Sequence, residues 1–143
     1  MPAVYDPTNI FAKILRGEAP CVRLYEDEHA LAFMDIMPRA PGHLLVIPKT
    51  PARNILDIAP AALAAIMPAV QKLARAAKAG LNADGIAAMQ FSEPASGQVV
   101  FHLHFHVIPC FAGVALKPPG GAIAPVAELE TVAAKIRAAL NNI

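Results

Sequence analysis

Two hydrophobic rhythms run along the chain, one of period two and one near 3.6, and their alternation predicts its elements. The first helix is carried by Ile10, Phe11, Ile14 and Leu15, opened by Asp6-Pro7 or Thr8 and closed by Gly17. Residues 21–25 alternate apolar and polar, residues 26–29 form a polar turn, and residues 30–34 read as the return strand of a hairpin closing at Asp35. A loop with Pro38, Pro41 and Gly42 leads to residues 43–47, a nearly continuous apolar strand stopped by Pro48. Between residues 60 and 79 the period changes: Leu63, Ile66, Met67, Val70, Leu73 and Ala77 mark a helix closed by Gly80, with Pro68 expected to kink or split it. Residues 86–91 read as a strand despite their alanines, residues 92–98 as a loop, and residues 117–121 as an irregular surface segment. Val126, Leu129, Val132, Ile136 and Leu140 mark a last amphipathic helix. Strands arriving as hairpins predict an α+β fold: an antiparallel meander of about five strands with an N-terminal, a central and a C-terminal helix.

Residues 100–109 carry the candidate chemistry. Read as a strand, they place His102, His104 and His106 on one face and Phe101, Leu103, Phe105 and Val107 on the other. Such a row of imidazoles, about 7 Å apart, suits three chemistries. It can hold a metal, it can supply a nucleophile with neighbours that handle protons, or it can bind an anionic phosphate. A solvated strand face is the plain alternative. The immediate neighbours are Phe, Leu, Val and Pro rather than Cys, Asp or Glu, whereas Ser96-Gly97-Gln98 upstream offers small residues and backbone amides. Phosphate chemistry therefore leads and metal comes second.

Composition narrows the partners. The 143 residues make one domain, and 12 Lys plus Arg against 11 Asp plus Glu leave no field that favours nucleic acid or a membrane surface. The longest apolar run, residues 58–70, is too short to span a bilayer and contains Pro60 and Pro68. Asp6, Pro7, Thr8 and Asn9 interrupt any secretory signal, and Cys21 and Cys110 are far apart, so a reduced cytoplasmic protein is expected. Hydrophobic residues are 56% and charged ones 16%, a surplus suited to covering a partner subunit.

Three blocks resemble the histidine triad family, most nearly its nucleotide-binding (Hint) branch. They are residues 97–109 with His-x-His-x-His, residues 10–18 as the opening helix, and residues 32–49. The resemblance implies a core at 9–110 within a single domain spanning 1–143, a C-terminal extension at 111–143, and a homodimer whose two sheets join. It also implies that His104 is a nucleophile toward the α-phosphorus of a purine nucleotide or nucleotide conjugate. His106 then contacts phosphate and leaving group, while His102 and His43 orient the nucleophile and relay protons. Asp35 would hold the ribose hydroxyls. Ile10, Phe11, Ile14, Phe33 and Ile36 would form the slot for the base, each being also an expected core residue. Ser92, Gly97, Gln98 and Val99 would form the phosphate cradle. No cofactor is called for.

The chain departs from the family pattern at four places. Gln90-Phe91-Ser92-Glu93 stands where Asn is common, Val99 where a hydroxyl residue is common, and Cys110 where many relatives carry Arg. Asn9 and Ala12 replace cysteines that bind a structural zinc in some bacterial relatives, so no metal is expected there. The leading function is a hydrolase of P–N or P–O bonds, a nucleoside phosphoramidase or nucleotidyl hydrolase. The alternatives are a dinucleoside polyphosphate hydrolase, a non-catalytic nucleotide-binding or scaffolding protein, and a zinc enzyme using His102 and His104.

Overall fold

The computed structural model describes residues 4–142, so the domain limits at 1–3 and 143 lie outside the described residues. In chain order the elements are α1 (Ile10–Leu15), β1 (Arg23–Glu26), β2 (Ala30–Met34), β3 (Leu44–Pro48), α2 (Pro60–Gly80), β4 (Gly85–Met89), β5 (Phe105–Cys110) and α3 (Val126–Leu140). The strands form one antiparallel α+β sheet of the expected kind. Its order, β1-β2-β3-β5-β4, differs from a strict meander only in the last two strands. The long α2 crossover delivers β4 to the outside, and β5 returns beside β3. Among the described residues, no helix is long and apolar enough to cross a membrane.

Both faces of the central strands are covered, which is why β2 and β3 read as unbroken apolar runs. Ala30, Ala32, Met34, Leu44 and Val46 point into the main core with α2 and α3. Leu31, Phe33, Leu45 and Ile47 point the other way, into a smaller core with Phe11 and Ile14 of α1. Within β5 the same alternation holds: Phe105 and Val107 belong to the main core, and His106 pairs with Leu45 on the α1 side.

Several expectations need correction. The histidine stretch is not one strand, because β5 begins only at Phe105 and His102 and His104 lie in the irregular segment before it. Pairing of β3 with β5 stops at Val46 opposite Phe105. Pro48 has no N–H to continue the ladder, and its carbonyl accepts from the His102 ring instead, at 2.9 Å. Phe101 consequently leaves the core and packs under the Arg53 guanidinium, 4.1 Å from its ring centre. Helix α1 is capped by Asn9, whose side chain accepts from Ala12 N–H, rather than by Asp6 or Thr8. Helix α2 runs unbroken through Pro68, which is exposed like Ala64 one turn before it. The carbonyl that Pro68 leaves without a partner is thus on the solvent side, where water can serve it. Strand β4 ends at Met89, two residues short of the expected range.

Gly42 sets the approach to His43. It is buried at φ +87°, and a Cβ there would strike the Leu81 side chain and lie 2.9 Å from Pro109 Cγ. Gly42→Ala is therefore expected to cost about 3 kcal/mol, overpacking and left-handed strain together, in a urea unfolding titration. A loss under about 0.5 kcal/mol would contradict this packing.

Candidate active site

Carbonyl oxygens can only accept hydrogen bonds, and this fixes the protons on the rings. His104 Nδ1 lies 2.7 Å from the His102 carbonyl, so Nδ1 carries the hydrogen and Nε2 keeps its lone pair. His102 Nε2 lies 2.9 Å from the Pro48 carbonyl, so its hydrogen is on Nε2 and Nδ1 is the acceptor. The Tyr5 hydroxyl donates to that Nδ1 at 2.6 Å. His43 Nδ1 accepts from Arg39 N–H at 3.0 Å, which leaves the hydrogen on Nε2. That hydrogen is directed at His106 Nδ1, 2.9 Å away, with Asp35 Oδ2 farther at 3.3 Å. His106 must then carry its own hydrogen on Nε2, where it can donate outward.

Burial keeps all four rings neutral. Desolvation pushes His43 down to about 4 and His106 to about 3, with nearby Arg39 and neighbouring histidines adding to the shift. His102 and His104 are lowered by the same desolvation, opposed by the carbonyls of Pro48 and His102 respectively. Asp35 is raised by burial against the opposing Met37 N–H, which donates to its Oδ1 at 2.8 Å. With His43 neutral, its contact with Asp35 is a weak hydrogen-bond approach rather than an ion pair.

The sheet and α1 bring most of the expected residues together. The His104 ring meets Phe11 edge-on at 4.9 Å and His106 at 5.0 Å, and His106 also meets Phe91 at 5.6 Å. Ile10 and Ile36 are about half exposed, while Phe11, Ile14 and Phe33 are buried in the smaller core behind them. His43 bonds to His106 rather than to the nucleophile candidate, and His102 acts on His104 through its carbonyl, not its ring. Val99 is exposed, as is Gly97 at φ +110°; Ser92 Oγ donates to Gln90. Gln98 differs from the expected phosphate contact. Its oxygen accepts from Asn54 and Glu93 N–H, and its nitrogen donates to the Arg53 and Val100 carbonyls. All four positions are filled, so its side chain shapes the loop rather than facing a ligand.

Three contributors were not legible in the sequence. Arg53 grips the Glu93 carboxylate with two nitrogens, at 2.8 and 3.0 Å, and Asn54 donates to it at 2.6 Å. Glu93 sits at φ +74°, a conformation ordinarily left to glycine, and these bonds hold it there. Tyr5 is the third. No motif links these residues to the histidines, which are reached only through the fold.

Metal binding fits the hydrogen-bonding pattern poorly. Asp35, His43 and His106 bring ligand atoms within 4.8 Å of one another. A metal on His43 Nε2 would need that nitrogen bare, which moves the hydrogen to Nδ1 and against the Arg39 N–H. His102 has both ring nitrogens engaged, so His102 and His104 do not offer a two-histidine platform either.

The family model of the HIT domain matches residues 16–113. The chain belongs to the histidine triad (HIT) family. A crystal structure described as a HIT-like protein involved in cell-cycle regulation, from Bartonella henselae with an unknown ligand, is 53% identical. It superposes with a TM-score of 0.92 over 96% of this chain and 99% of that one. A HIT-like protein of Azospirillum brasilense is 44% identical over 82% of this chain and 96% of its own. An adenosine 5′-monophosphoramidase of Schizosaccharomyces pombe is 39% identical over 70% and 72%.

The depressed histidines tie stability to pH in one direction. Unfolding restores His43 and His106 to an ordinary value near 6.5, so between there and about 4 the unfolded chain holds more protons. Stability is full above the unfolded value and is lost as pH falls through this window, by up to about 1.4 kcal/mol per pH unit for His43. The urea midpoint should fall between about pH 7 and pH 5. His43→Asn should fall less steeply, and an unchanged wild-type midpoint would contradict the neutral burial.

Proposed function

We propose that this HIT protein hydrolyses purine nucleotides at the α-phosphate, releasing an amine or similar leaving group through a nucleotidyl intermediate on His104. The observation that carries the reading is the bare His104 Nε2. Its ring is oriented by the His102 carbonyl, and no bond to a described residue occupies the free nitrogen. A buried neutral imidazole of this tautomer is a nucleophile ready without prior deprotonation.

In the first step His104 Nε2 forms a bond to the α-phosphorus and the bond to the leaving group breaks. The leaving group takes the His106 Nε2 proton, and the charge left on the His106 ring is met by the His43 Nε2–H, which keeps its proton and continues to donate to His106 Nδ1. The nucleotidylated ring still bears its Nδ1 hydrogen and gains positive charge, which the His102 carbonyl dipole stabilises. In the second step water attacks phosphorus, the P–N bond to His104 breaks, and the water proton goes to His106 Nε2, which restores the starting tautomers. Asp35 has lone pairs left for ribose hydroxyls, and the exposed sides of Ile10 and Ile36 suit a base lying across them. The Ser96, Gly97 and Gln98 amides donate within the turn, to the Glu93, Pro94 and Glu93 carbonyls, so of the expected cradle the Val99 amide is the one left to serve the phosphate. The named activity of the Schizosaccharomyces pombe relative is of this class.

His104→Asn should reduce turnover of an adenosine 5′-phosphoramidate by about a thousandfold or more, read by release of the amine. Adenosine monophosphate should still bind the variant in calorimetry. Retained turnover in a clean preparation would remove His104 from the mechanism.

Pairing of two copies belongs to the same reading. Strand β4 lies at one margin of the sheet, and Ala61, Ala64 and Met67 of α2 face solvent. Sedimentation should report twice the 15.0 kDa of the chain, and a monomer at micromolar concentration would refute it.

A further inference from the structure

Tyr5 lies 97 residues from His102 in sequence, yet their rings meet edge-on at 5.6 Å and the hydroxyl reaches His102 Nδ1. The direction of this bond is forced. Pro48 accepts from His102 Nε2, so Nδ1 has only a lone pair to offer, and the phenol must donate its single proton. The phenol oxygen in turn accepts from Asn9 Nδ2 at 3.0 Å. Asn9 is itself held the right way round, because its Oδ1 caps α1 at Ala12 N–H and its Nδ2 also donates to the Asp6 carbonyl at 2.8 Å. The chain of donors thus runs one way, from Asn9 to Tyr5 to His102 to Pro48, and each donor polarises the next.

His102 is therefore gripped at both ring nitrogens as well as at its backbone. Leu103 N–H donates to the Ala52 carbonyl at 2.8 Å, in the same peptide plane whose oxygen receives His104 Nδ1–H. The plane is anchored at one edge by Ala52 and, through Cα of His102, by the ring clamped between Tyr5 and Pro48. The same Asn9 caps the helix whose Phe11 packs on His104. One side chain thus coordinates both supports of the attacking ring.

We propose that Tyr5 is a positioning residue for the nucleophile: its hydroxyl fixes the tautomer and orientation of His102, and through the His102 carbonyl the ring face that His104 presents to substrate. The assignment rests on the catalytic role of His104 argued above, but half of its test needs no substrate. Tyr5 touches no reacting atom in this scheme.

Two variants separate positioning from folding. Tyr5→Phe keeps the ring against His102 and removes only the hydroxyl. Asn9→Asp keeps a strong cap for α1 but replaces a donor to the phenol by an acceptor that competes for its proton. In both, kcat on the phosphoramidate should fall about fivefold to tenfold with KM within about twofold of wild type. A residue that merely supported the fold would leave Asn9→Asp near wild type. Nitrogen NMR of labelled histidine should show wild-type His102 as a single tautomer with hydrogen on Nε2. The Nδ1 resonance should move toward a bare nitrogen in Tyr5→Phe, and in the same direction in Asn9→Asp, where the new carboxylate draws the phenol proton away from His102. Wild-type kcat in both variants, a loss confined to KM, or hydrogen on His102 Nδ1 in the wild type would each overturn the proposal. Absence of turnover by the wild-type protein would instead count against the proposed reaction, with the NMR outcome still deciding the role of Tyr5.

Discussion

The site depends on a single hydrogen bond from the His104 ring to the carbonyl of residue 102. Because a carbonyl cannot donate, the bond selects one of two tautomers that are otherwise close in energy, and it does so without introducing charge. Everything nearby conforms to that choice. Desolvation keeps the surrounding imidazoles neutral, and each finds a partner that matches its own tautomer. The rings form two directed lines of hydrogen bonds: one through Tyr5, His102 and Pro48 that holds the segment presenting His104, and one from the Arg39 amide through His43 to His106.

The sheet makes these lines possible by ending early. Had Pro48 been a residue with an N–H, the β3–β5 ladder could have run on past Phe105 and used the Pro48 carbonyl for backbone pairing. Freed from the ladder, that oxygen binds a side chain, and the histidine segment bends away from the strand path. Only His106 keeps a strand position, which sets it beside Leu45 on the face covered by α1. Three histidines at alternate positions thus come to have three different surroundings.

The sequence made the α+β class, the five strands and the helices legible because period-two and period-3.6 patterns arise from local burial, and local burial dominates here. The histidine triad was legible for a different reason, a dense motif with matching blocks elsewhere. What escaped was long-range or geometric. The spacing of His102, His104 and His106 suggested one flat strand, and nothing local announces that Pro48 cuts the pairing short. The bond of Tyr5 to His102 spans most of the chain, and Arg53 and Asn54 carry no signature that points to Glu93. Gln98 was placed in the phosphate cradle by its position in the motif, but its four hydrogen-bonding positions are all filled within the protein. The α1 cap was misplaced by three residues or fewer because Asp6, Thr8 and Asn9 are all good caps, and only the observed bond to Ala12 distinguishes them.

Glu93 carries a consequence for when the loop acquires its shape. A non-glycine residue at φ +74° is costly to hold, yet Arg53, Asn54 and Gln98 hold it with bonds made entirely within the protein. The turn from residue 93 to 98 is therefore set during folding, before any ligand arrives. The ordering cost of this turn is thus met by folding itself, so whatever the loop meets finds its backbone already arranged.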